Sequence, residues 1–231
     1  MGRSAWARAA LAAAVAAFAA ACAPAGPKSV AVEPPPATAT PTVRPTPPAA
    51  PQPSYAEPFE AALSLCPGMR VSNAPAADAN RVVLDFQRDV TINGVRLAAV
   101  PTVGACLSSG FGMRNGSMHR GVDYYRRDGA PIYAAADGVV REQTYRNDYG
   151  NMIVLDHGAG VFTRYAHLAA FAEGLDVGAS VRRGAIIGQM GNTAAYSIPV
   201  HLHYEILVGE YDTPRGSFGL DARSPFAAGD P

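Results

Sequence analysis

The chain is poor in the side chains that carry most polar chemistry. Among its 231 residues there are three cysteines and five histidines, and Lys28 is the only lysine. The nineteen basic and nineteen acidic residues cancel. No basic stripe interleaved with aromatics stands out, which excludes nucleic acid as a partner. Neither Cys66 nor Cys106 lies in a CxxC or Cys/His cluster, so metal ligation by cysteine is excluded too. After residue 106 no helical periodicity of useful length occurs, which argues against βαβ units. The N-terminal apolar run, Ala9 to Ala21, is too short to read as a transmembrane helix.

That run has another reading. Arg3 and Arg8 precede it, and it ends in Phe18-Ala19-Ala20-Ala21-Cys22. Residues 1–22 are therefore an expected export signal. Small residues before a cysteine resemble a bacterial lipobox, with Ala19 where leucine is usual. The resemblance implies acylation of Cys22 and, with Ala23 next, the periplasmic face of the outer membrane. Ordinary signal cleavage, giving a periplasmic or secreted protein, is the alternative. Residues 23–58 are rich in Pro, Ala and Thr and read as a disordered tether that buries no core. At polyproline rise it reaches on the order of 100 Å. In an exported chain Cys66 and Cys106 are expected to pair, closing a loop that stabilises by roughly 3–4 kcal/mol in the chain-entropy account.

Residues 59–105 read as a structural lead-in without a titratable constellation. A short helix is expected over Phe59–Cys66, stopped by Pro67-Gly68, and a strand over Arg81–Phe86. Asp89–Leu97 carries Asn93-Gly94, the preferred type I′ hairpin turn. From Cys106 onward short β-branched runs alternate with glycine turns: 129–140, 151–156, 161–165 around His157-Gly158-Ala159-Gly160, 181–188 and 198–208. This predicts an all-β barrel or sandwich.

Four of the five histidines fall into a pattern. His201 and His203 lie two apart in a β-prone run, so they share one strand face. His119 and Asp123 share a face if their segment is extended. Catalytic zinc uses three protein ligands and leaves one position open. Two histidines and the Asp123 carboxylate would form such a set, and Zn2+ there would lower the pKa of a water and polarise a carbonyl. Spacing alone leaves open which histidines bind. The free imidazoles would be suited to proton transfer and oxyanion stabilisation. Glu205, on the face of His201 and His203, is either a hydrogen-bond partner to a ligand or an edge carboxylate. His157 reads as structural.

His119-Arg-Gly-Val-Asp123, Tyr165-Ala-His167-Leu168 and His201-Leu-His203, in this order, resemble the three motifs of the LytM/lysostaphin-type zinc endopeptidases. Gly129–Gly138 and Val181–Gly188 resemble the glycine signatures of that domain's duplicated hybrid β core, barrel-sandwich in type. The resemblance covers residues 107–209. It implies His119, Asp123 and His203 as zinc ligands, His167 and His201 as catalytic imidazoles, and peptide cross-links of peptidoglycan as substrate. A monomer is expected, with the peptidase domain at 106–209 and a tail at 210–231. Pro199 stands one place earlier than the family's Gly-Pro pair, which reshapes one groove wall. The enzyme reading includes inhibition by its own residues 59–105, should they pack over the groove. Two alternatives are weighed against it. One is a catalytically silent wall-binding or amidase-activating regulator on the same fold. The other is a biotinyl-type carrier, excluded because its hairpin would need a lysine.

Overall fold

A computed structural model describes residues 57–226. The expected signal, Cys22 and nearly all of the tether lie outside the described residues. Fifteen strands follow in chain order: β1 (Asp89–Ile92), β2 (Val95–Ala98), β3 (Cys106–Ser109), β4 (Gly112–Arg114), β5 (Ser117–His119), β6 (Val122–Tyr125), β7 (Pro131–Tyr133), β8 (Gly138–Arg146), β9 (Gly150–Asp156), β10 (Val161–Ala166), β11 (Leu168–Phe171), β12 (Ser180–Val181), β13 (Ile186–Met190), β14 (His201–Val208) and β15 (Asp221–Arg223). The one helical element among the described residues is a 3-10 turn at Gly216–Gly219. The expected all-β core is present.

The main sheet runs β12-β8-β9-β10-β14-β6-β3, and a three-stranded sheet runs β11-β13-β7. The principal core lies between them. β6, β9, β10 and β14 send alternate residues into it, among them Val122, Tyr124, Ile153, Leu155, Tyr165, Leu202, Tyr204 and Ile206, and Ile132, Leu168, Ile187 and Met190 meet them from the small sheet. The other face of the main sheet is covered as well. Met152, Val154, Phe162 and Leu207 pack there with Leu220, backed by Tyr149, Tyr211 and Phe218. β10 is consequently buried at every position. A strand enclosed on both faces can hold a charged residue such as Arg164 only if a partner is supplied inside.

The residues from 210 onward, which the sequence leaves uninterpreted, supply much of that second cover. β14 is longer than its neighbour β6. Its His201–Tyr204 half pairs with β6 and its Ile206–Val208 half with β15. The returning chain thus closes an edge that would otherwise be free to pair elsewhere.

The lead-in departs from the sequence reading at two places. Phe59–Cys66 is not a helix: the amides of Leu65 and Cys66 donate to Arg81 and Leu107 carbonyls, and Leu65 bridges Leu107 in parallel. A helix of two turns is marginal by itself. Here Phe59 and Leu63 are buried in the principal core, and the Cys66–Cys106 disulfide fixes the segment to β3. Arg81–Phe86 is not a regular strand, since Arg81 and Asp85 have φ of 66° and 54° and only Val82 and Val83 form bridges. The Arg81 guanidinium donates to the carbonyls of Leu65, Cys66 and Met69, so this residue ties the lead-in together. The Asn93-Gly94 hairpin forms as expected, with β1 and β2 in register and both turn residues at positive φ. The run 181–188 divides into β12 and the start of β13 around a turn at Gly184.

Candidate metal centre

Three strands set the site by register. His203 on β14 lies directly opposite Asp123 on β6 and Ala166 on β10. His119 ends β5. Between His119 and Asp123 stands Gly121, where a Cβ would lie 2.4 Å from the Tyr204 carbonyl oxygen and 3.0 Å from the His203 ring. Only glycine lets β6 approach β14 closely enough for the two side chains to meet.

The three side chains present one atom each to a common point. His203 Nδ1 is 2.9 Å from Asp123 Oδ1, and His119 Nε2 is 3.2 Å from both. Donors at zinc bond lengths around a tetrahedral ion would be separated by roughly 3.3 Å. Protonation states strengthen the fit. The Gly110 carbonyl can only accept, so His119 Nδ1 donates to it at 2.7 Å and Nε2 keeps its lone pair. Glu205 Oε1 accepts from His203 Nε2 at 2.9 Å, which leaves the Nδ1 lone pair facing inward. Three electron pairs therefore converge where a cation would satisfy them all. These residues are the His/Asp cluster that could hold a metal ion among the described residues.

Without a cation a proton takes that role. Burial opposes charge on His203, yet hydrogen bonds and attraction from Asp123 and Glu205 outweigh it and push its pKa up to about 9. Burial likewise opposes the Asp123 anion, but its contacts with the His119 and His203 rings hold its carboxyl well below the usual range. Asp123 Oδ2 also faces the Arg114 guanidinium at 3.5 Å.

The other two imidazoles behave oppositely. His167 follows β10 in the left-handed region at φ 62°. This conformation is uncommon for a side-chain-bearing residue and concentrates at functional positions. It breaks the strand's alternation, bringing the ring to 4.6 Å from that of His201 and 6.0 Å from that of His203. His167 Nδ1 donates to the Thr193 carbonyl at 2.9 Å and His201 Nδ1 to the Pro199 carbonyl at 2.8 Å. Both carbonyls belong to the 192–200 loop, and both rings thereby keep Nε2 unprotonated when neutral. Burial drives the pKa of His167 down to about 4 and lowers that of His201.

All five residues singled out in the sequence are thus gathered at one end of the main sheet. His157 is not: it bridges the Asp137 carbonyl and the Thr163 hydroxyl near the β9–β10 turn, as a structural residue should. Glu205 is no edge carboxylate. It is buried beneath His203, accepts from Tyr149 at 2.8 Å and pairs with Arg164 at 2.7 Å. Despite burial, His203 and Arg164 hold its pKa down to about 2. Sequence reasoning missed Arg164, Tyr149 and Arg114. A charged residue in an otherwise buried strand is the one signal that pointed to Arg164.

Residues 117–214 match peptidase family M23. A DD-carboxypeptidase/endopeptidase, Mpg, of Neisseria meningitidis serogroup B strain MC58 is 42% identical over 113 residues, 46% of this chain and 25% of that protein. The peptidoglycan DD-endopeptidase ShyC of Vibrio cholerae is 41% identical over 98 residues, 42% of this chain and 22% of that protein. The lysostaphin catalytic domain of Staphylococcus simulans superimposes with a TM-score of 0.44 at 30% identity, over 52% of this chain and 89% of that one. The chain spans about a quarter of the length of the curated relatives. The converging His/Asp/His set and the three motifs all fall within residues 117–214, the stretch that matches peptidase family M23.

Proposed function

We propose that the chain is a zinc-dependent endopeptidase that hydrolyses peptide cross-links of bacterial peptidoglycan. The observation that carries the reading is the convergence of three potential ligand atoms, from His119, Asp123 and His203, beside two imidazoles that do not join them. The two buried carboxylates Asp123 and Glu205 suit a doubly charged ion, and two neutral nitrogens with one carboxylate are a donor set that zinc accepts. Zinc bound there would act as a Lewis acid on the scissile carbonyl and on the attacking water.

The chain's own groups do the proton work. His167 and His201 each hold Nδ1–H on a loop carbonyl, so Nε2 is the nitrogen available to the reaction. One neutral imidazole accepts the proton that water loses as its oxygen bonds to the carbonyl carbon. A protonated imidazole then donates to the tetrahedral oxyanion, and the proton passes to the leaving amine as the C–N bond breaks. Tyr149 and Arg164 hold Glu205, which orients His203.

The relatives named as peptidoglycan endopeptidases support the substrate class. In this reading the protein is exported, acts as a monomer, and reaches the wall from a lipid on Cys22 along the 23–58 tether. The mass of the membrane-extracted N-terminus decides the anchor: an unmodified or absent Cys22 ends that part. For the activity, the purified chain is assayed for zinc and for release of muropeptides from isolated peptidoglycan, with His203→Ala alongside. One zinc per chain and digestion lost in the variant are expected. Stoichiometric zinc without release at any pH would instead favour a silent regulator.

A further inference from the structure

We infer that the C-terminal turn Gly216–Gly219, with Leu220, is a positioning element of the metal centre, acting on His203 through Arg164 and Glu205. The inference rests on the metal-binding reading above. Arg164, Glu205 and Ser217 are each completely buried. An enclosed guanidinium is tolerated only where its N–H groups and charge are met. Arg164 Nη1 donates to Glu205 Oε2 at 2.7 Å and Nη2 to the Ser217 hydroxyl at 2.8 Å, while the Phe218 ring lies 3.9 Å beneath the group. Arg164 Nε finds no partner, so these contacts, with the Tyr149 ring 4.9 Å from the group, fix the plane of the fork. The turn is itself secured, because the Ser217 amide donates to Glu142 Oε1 at 2.9 Å on β8.

A second arginine leads back to the same turn. Arg120, beside His119 in sequence, donates to the Leu220 carbonyl and lies 4.0 Å from Glu205 Oε2. Both arginines that face Glu205 are therefore held from residues beyond 214, where the match to peptidase family M23 ends. Glu205 in turn fixes the ring of His203 through Nε2 and so aims Nδ1 at Asp123. Loss of the Ser217 hydroxyl leaves a buried N–H without an acceptor. The fork is then free to turn away from Glu205, and the aim of His203 loosens. Outer partners of metal-bound histidines typically change metal affinity 10–100-fold.

The test is a competition titration of zinc against a chromophoric chelator on the full-length protein, with metal-free melting recorded for every variant. Glu205→Gln and Arg164→Lys are expected to weaken zinc binding about 10–100-fold. Ser217→Ala should weaken it several-fold, and Ser217→Thr, which keeps the hydroxyl, should restore it. Val177→Ser, on an exposed residue away from the site, should match wild type. A general loss of packing would lower melting without the Ala-to-Thr rescue of affinity. Wild-type affinity in folded Ser217→Ala and Arg164→Lys would overturn the inference while leaving the metal reading intact. If Arg164→Lys does not fold, the Ser217 pair alone decides. No zinc bound by the wild-type chain would overturn the metal reading, and this inference with it.

Discussion

His203 and His167 lie with ring centroids 6.0 Å apart, yet their surroundings push them in opposite directions. His203 sits on a strand between two buried carboxylates, and its pKa is raised to about 9. His167 sits at a strand end in left-handed backbone, bonded to a carbonyl, and burial takes its pKa down to about 4. The first environment suits a cation and accepts a proton when none is there. The second keeps an imidazole neutral and its Nε2 free. The difference teaches how surroundings separate two similar rings. His203 lies between two carboxylates, one of them backed by arginine, whereas His167 has only a loop carbonyl. His119, although bonded to the Gly110 carbonyl, stands with His203 because its other nitrogen meets Asp123.

The largest expected effect breaks the cation side. Asp123→Ala removes the charge that draws the three donors together, and loss of activity by at least about 10³-fold is expected, from the scale of removing a metal's contribution to catalysis. Digestion of isolated peptidoglycan measures it. On the neutral side His167→Asn should lower the rate about 10²–10⁴-fold, the range for a general acid–base group, while zinc stays bound. Asparagine accepts left-handed backbone readily. Its melting temperature should therefore remain within a few degrees of wild type, which separates loss of chemistry from loss of fold.

Gly121→Ala tests the register on which both sides depend. The added methyl would press on the Tyr204 carbonyl, Glu205 and the His203 ring. A destabilisation of about 1–3 kcal/mol, as for overpacking, and weaker zinc binding are expected together; chemical denaturation and the chelator titration report them.

The smallest effect sharpens the contrast through pH. His167 has a folded pKa near 4 against an ordinary 6.5, so the folded state binds fewer protons and loses stability as pH falls from 6.5 towards 4. His203 is raised to about 9, so its contribution is complete below 6.5 and is lost as pH rises through 9. Metal-free protein should melt highest between these flanks. His167→Asn should reduce the acid flank, to which His157 and His201, also lowered by burial, contribute the rest, and His203→Gln should reduce the alkaline one. Melting curves in chelator across pH 4–10 record both, and unchanged flanks in either variant would remove that half of the contrast.

Much of the site was legible because its chemistry resides in side chains with regular spacing. His201 and His203 alternate onto one strand face, and His119 with Asp123 brackets a glycine that permits close approach. The strand pattern after Cys106 and the disulfide partner of Cys66 were legible for similar reasons. What holds the rings was not. The Gly110, Thr193 and Pro199 carbonyls leave no mark in residue identity, and Arg164 and Ser217 meet across 53 positions through the path of the tail. The lead-in misled for a related reason: Phe59–Cys66 has a helix-compatible composition, but its amides are claimed by Arg81 and Leu107 from distant segments.

The central claim is that three of these residues hold one metal ion and the two neighbouring imidazoles do not. Its most direct test is zinc stoichiometry, with anomalous scattering at the zinc edge, for wild type, His203→Ala and His167→Asn. One zinc between His119, Asp123 and His203 in wild type and in His167→Asn, and none retained by His203→Ala, is the predicted result. Full zinc occupancy in His203→Ala, or its loss in His167→Asn, would contradict the account.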